Sequence, residues 1–357
     1  MGLIRPTDGA SDEGGPARTP GAGQPGNGRP GPGSPDTGRP GTGRAVAVLV
    51  LVALAALIPL LGPSAALDGT GEASAPGVPG IALLRTVLFA ALCVPVGELF
   101  VRQLAGRLPG APPERARSWA PYATGVGFVA ALGLASVVST GNLVPHSLAA
   151  IDVGGLYESR DGKLALLEVN GFAAAGLCAL SARPVMQVWP LAAVAVAEAL
   201  RAHPAPELDP LTGSVLTFVH LTCAALWVGG LLYVLRTLPL WGTASEARVA
   251  LLGLYARVAA VLLALITATG IWSTLRRMPA DTVLEQLTST AYGRTLLAKV
   301  IVVAAVAVLA LWARLRLSRA ADPLTACSPA RAEVVALGLV VTVSGLLTAL
   351  PVPIRWT

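Results

Sequence analysis

The chain has 357 residues, 54% of them hydrophobic and only 13% charged, with a mean hydropathy of +0.67. A soluble domain averages nearer a quarter charged, so this composition excludes an ordinary soluble protein. The net charge of +6 is mostly arginine between apolar runs, and so reads as membrane topology rather than nucleic-acid binding.

Residues 1–43 are rich in Gly, Pro, Arg, Thr and Asp. Such a segment cannot bury a core and is expected to be a disordered cytoplasmic tail. A first membrane span follows over 44–62, too long for the apolar core of a signal peptide. Further apolar runs near the ~20 residues needed to cross a bilayer lie at 81–101, 119–140, 164–182, 185–201, 213–235, 250–274, 295–315 and 332–350. The fold class is therefore all-α, a polytopic bundle of about nine spans. The pair 164–182 and 185–201 is parted by little more than Arg183-Pro184, which suggests a tight helical hairpin.

Arginine placement orients the spans. Arg5, Arg18, Arg29, Arg39 and Arg44 precede the first span, and Arg102, Arg107, Arg115 and Arg117 follow the second, whereas 62–80 holds no Lys or Arg. The simplest solution puts the N-terminus in the cytoplasm and the C-terminus outside. The 275–294 loop, with Arg276, Arg277 and Arg294, fits that solution poorly. In this topology His146, His203 and His220, the chain's three histidines, all lie toward the outer side.

The chain also repeats itself with a period near 131 residues. Residues 157–183 align without gaps on 288–314, placing Gly162 on Gly293, Lys163 on Arg294 and Arg183 on Arg314. Two parallel four-span repeats, 81–201 and 202–353, are expected after the extra first span, an arrangement known in transporters with sites at the repeat interface. The repeat breaks where chemistry is expected. His220 falls opposite Leu88 or Phe89, and Glu168 opposite Lys299. Glu168 and Lys299 are each expected to snorkel or to find a partner.

The stretch TFVHLTCAALWVGGLL, 217–232, carries an imidazole inside an apolar run. Ionisable groups within a span mark functional sites by default. Helical spacing puts His220, Cys223 and Trp227 on one face. Glu168, Asn170, Glu198 and Lys299 are candidates for a hydrophilic path, with interfacial pairing as the alternative. Glu98, near the inner end of its span, reads as structural. Cys93, Cys178, Cys223 and Cys327 show no CxxC spacing, so neither a disulfide nor a zinc site is expected. No nucleophile–base constellation and no phosphate-binding motif is present, so an enzyme is not expected.

Several segments together resemble the copper-resistance protein D (CopD) domain. They are RAHPA around His203, VHLTCAALWVGGL around His220, YARVAAVLLALITATG at 255–270, AYGRTLLAKVIVV at 291–303 and LLTALPVP at 346–353. The resemblance implies copper handling in the cytoplasmic membrane, described for that family as copper import or transport, with His203 and His220 matching the family's two histidines. His220 and His203 are thereby expected metal ligands. Cys223, one turn from His220, and His146, in an outer loop, are added from their positions, with an inert cysteine as the alternative for Cys223. Glu168, Lys299, Glu198 and Trp227 are expected along the transport path. Copper(I) favours soft thiolate and imidazole donors. For His220 the alternative is a histidine that hydrogen-bonds a neighbouring helix. For His203 it is an ordinary interfacial histidine, for His146 a solvated loop histidine, and for Trp227 aromatic packing. The expected partners are the bilayer and a separate extracellular or periplasmic copper-binding protein. Two other functions stay open: a factor that delivers copper to a cuproenzyme, and a b-type haem redox protein, which would need a second buried histidine.

Overall fold

The computed structural model describes residues 56–72, 77–140, 152–204, 209–242, 244–278, 282–319 and 327–350, all within one compact unit, Val46–Thr357. The tail 1–43 and His146 lie outside the described residues.

The described residues form helices and no strand. In chain order they are α1 (Ala56–Leu67), α2 (Val78–Ala105), α3 (Ala120–Ser139), α4 (Val153–Glu158), α5 (Arg160–Leu180), α6 (Val188–Arg201), α7 (Pro210–Thr237), α8 (Ser245–Arg277), α9 (Val283–Ser289), α10 (Ala291–Arg319) and α11 (Cys327–Ala349). Six of them, α2, α3, α5, α7, α8 and the Ala291–Val308 part of α10, are long and apolar enough to cross a membrane. The protein is a multi-pass membrane protein. Shorter apolar helices lie at Ala56–Leu67 and Gly338–Ala349. The expected span at 185–201 differs most from its prediction. A 3-10 turn over Pro184–Gln187 takes up its start, leaving a 14-residue α6. At 1.5 Å per residue α6 reaches about 21 Å, short of the roughly 30 Å hydrocarbon core. It packs back on α5 as a hairpin.

The bundle centres on α2 and α7. Gly97 and Gly229 bring their backbones into contact: a Cβ on Gly97 would overlap the Gly229 main chain, and one on Gly229 would overlap the Cys93 carbonyl. Small residues permit such an approach where lipid offers no hydrophobic drive for helix association. Around this pair, α3 packs on α2 and α8 on α7, while α11 lies against α2 and α6 against α7.

Two local structures recur 131 residues apart. Ser159 ends α4 and caps α5 by accepting from the Gly162 amide at 3.0 Å. Thr290 ends α9 and accepts from the Gly293 amide at 2.9 Å. In each case the glycine has no room for a Cβ, meeting Leu156 in the first and Leu287 in the second. The packing of the helices that follow differs. Phe172 of α5 is fully buried against Gly127 of α3. Among the described residues α8 and α10 make no comparable contact.

Candidate functional site

The gap left by α8 and α10 is a cavity of about 220 Å³, walled by α2, α6, α7, α8, α10 and α11. That volume holds several waters. Its lining is polar toward the end where α7 and α10 begin and α8 and α11 finish, with Thr217, His220, Ser273, Thr274, Tyr292, Lys299, Ser344 and Thr348. Deeper in, Trp227, Val228, Val303 and Val340 make it apolar.

His220 lies in this wall, half-buried, with Nδ1 3.0 Å from Thr269 Oγ1. The Thr269 hydroxyl donates to the Leu265 carbonyl at 2.7 Å. Its proton is thus committed to α8, and the hydroxyl accepts from Nδ1–H. Nε2 is then the nitrogen with the free lone pair. The neighbouring-helix hydrogen bond that was the alternative for His220 therefore exists. It also sets the tautomer and ring orientation that a metal ligand needs.

The other expected residues are distributed differently. Cys223 is buried among apolar side chains and does not line the cavity, whereas Cys93 of α2 does. The α2–α7 crossing causes this, because it turns Cys93 toward the cavity. Nothing in the local pattern around Cys93 signals it. Trp227 lines the cavity and is buried, with its indole N–H lacking an acceptor among the described residues. His203, expected at the membrane surface, is buried, with Nε2 2.9 Å from Thr217 Oγ1. It does not line the cavity, so His203 and His220 do not face one another across a haem-sized space. Among the described residues no group of three His, Cys, Asp or Glu side chains is placed to hold a metal.

Glu168 and Glu198 meet at one arginine that sequence reasoning missed. Arg201 lies 2.8 Å from Glu168 and 2.6 Å from Glu198, and Arg85 is 3.7 Å from the second oxygen of Glu198. This four-residue network joins α2, α5 and α6, and three of its members are almost wholly buried. Lys299 is not Glu168's partner. It stands in the cavity wall with no ion-pair or hydrogen-bond partner among the described residues.

The arginines that fit the topology poorly are held by the protein at this same end. Arg276 donates to the Asp209 carbonyl at 2.7 Å, Arg277 to Tyr292 Oη at 3.1 Å, and Arg294 to the Asp68 carbonyl at 2.5 Å. Asp209 caps α7, and hydrogen bonding from Thr212 holds its carboxyl below the usual carboxylate range. Glu98 is structural at the opposite end of α2, 2.6 Å from Arg102 and accepting from the Trp119 amide at 3.2 Å.

Residues 249–349 match the family described as Copper resistance protein D. The chain carries a CopD domain. The match takes in nearly all of α8 and the whole of α9, α10 and α11, so three walls of the cavity belong to the CopD domain. His203, His220 and Cys93 lie outside the matched segment. No curated protein matches the chain, and no solved structure does.

Removing one partner of a buried charge network strands the others. Arg201→Gln is therefore expected to destabilise the protein by about 3–5 kcal/mol. The check is thermal unfolding of the detergent-purified variant, and an unchanged midpoint would show that the network does not hold α5 to α6.

Proposed function

We propose that the protein is a membrane copper transporter in which the cavity beside the CopD domain binds the ion. His220 holds copper through Nε2, with the Cys93 thiolate as its second soft donor. The observation that carries this reading is that the CopD helices α8, α10 and α11 form three walls of a cavity into which α7 sets an oriented intramembrane histidine. Imidazole and thiolate are the donor types copper(I) favours. We assign the polar end of the cavity to the outer side, so copper enters there past the His203 end and is passed inward. His203 then shapes the entrance through Thr217 rather than ligating, and His146, assigned to the outer side by the arginine pattern alone, collects the ion.

The chain is further proposed to be two copies of a four-helix unit after a first extra span, nine membrane helices in all, with the 14-residue α6 and the 3-10 turn before it as the short fourth helix of the first copy. The matching caps at Ser159 and Thr290, with their crowded glycines 131 residues apart, support this. So does the pairing of α2 with α7 at the centre. A role in delivering copper to a cuproenzyme would use the same residues. Transport is distinguished from delivery by a change in cytoplasmic copper rather than only in the recipient enzyme's activity.

His220→Ala is expected to abolish copper accumulation in cells expressing the folded protein, and Cys93→Ser to lower it about tenfold or more. Cys223→Ser is expected to leave it unchanged. Normal uptake by His220→Ala would remove the site from consideration. A reporter fused behind α11 is expected to read outside the cell, and a cytoplasmic signal would invert the assigned topology.

A further inference from the structure

The cavity carries a surplus of positive charge and of hydrogen-bond donors. Arg85, Arg277 and Lys299 line it, against Glu198 as the one lining carboxylate. Glu198 is already shared by Arg201 and Arg85. Arg277 meets a neutral hydroxyl, that of Tyr292, and Lys299 has no partner among the described residues. Two further donors are buried without acceptors, Arg85 Nε–H and the indole N–H of Trp227, which is 97% buried. Arginine, lysine and indole donate and cannot accept. Unpaired cations at membrane depth are costly, and the remedy is a partner of opposite sign. The repeat sharpens the contrast, since Lys299 stands where the first half has the acidic Glu168. A bare copper cation at His220 would enter a field of its own sign.

We propose that the cavity contains an anion site, with Lys299 as its principal cation, that takes a small carboxylate or halide beside His220. The anion reaches the cavity either free, as the counter-charge of the empty protein, or as a ligand already on the copper ion. In the second case the ion is carried as a neutral or anionic complex, with His220 on the metal and Lys299 on the anion. This second form rests on the copper reading; the anion site itself does not.

The test uses the detergent-purified full chain. Acetate and chloride are titrated at constant ionic strength, with and without copper(I), and binding is followed by tryptophan fluorescence and by thermal unfolding. Saturable binding is expected, weakened at least tenfold in Lys299→Gln and retained in Lys299→Arg. Binding in copper-free protein identifies a free counter-anion, and binding only with copper(I) identifies a ligand on the metal. A response that never saturates, or an unchanged dissociation constant in folded Lys299→Gln, would overturn the proposal. Anion binding by a protein that takes no copper would leave the anion site standing and overturn the copper reading instead.

Discussion

The contact between Gly97 and Gly229 governs the rest of the structure. With no side chain on either, α2 and α7 meet backbone to backbone. Each then serves as the base for its neighbours, α3 and α11 on α2, α8 and α6 on α7. The same crossing sets Cys93 on the cavity side of α2 while Cys223 turns into the apolar packing of α7 and α8. A side chain larger than hydrogen at either glycine would force the α2 and α7 backbones apart, and with them the cavity-lining residues those two helices carry.

A second constraint is an absence of filling. In the first half Phe172 closes the space between α5 and α3, and the residue 131 positions on is Val303, which lines the cavity. Phe89 of α2 likewise corresponds to His220 of α7, and Glu168 to Lys299. In the proposed duplication, one half has become a packed, ion-paired support and the other has traded bulk for space, an imidazole and an unpaired cation. The buried network of Glu168, Glu198, Arg201 and Arg85 fixes the support beside the space.

Much of this was legible in the sequence, because lipid leaves the backbone few choices. Apolar runs near twenty residues must be helices, and among the described residues six helices are long and apolar enough to cross, with shorter apolar helices beside them. The 185–201 helix is shorter than its hydropathy predicts, because hydropathy does not register that Pro184 starts a 3-10 turn. His220 was legible because an imidazole has no cheap reason to sit in an apolar run. Its partners were not. Thr269 and Cys93 come from helices remote in sequence, and serine, threonine and cysteine are unremarkable inside spans. Helical periodicity favoured Cys223 since it shares a face with His220 on one helix. Periodicity carries no information about which side of that face meets a neighbour. Nothing in the sequence singles out Arg201, at the end of α6, as the residue that pairs with both Glu168 and Glu198. Arginines 276, 277 and 294 fit the expected topology poorly because arginine counting treats them as free, whereas each is bound to a carbonyl or a hydroxyl of the protein.

The central claim is that the open space between α8 and α10 is where copper is held. The most direct measurement is the copper content of purified Val303→Phe beside wild type, since this change puts into the second half the side chain that closes the first. A folded variant with its cavity filled is expected to lose bound copper while keeping its thermal midpoint within a few degrees. Copper retained at the wild-type level in that variant would contradict the claim and place the metal elsewhere in the protein.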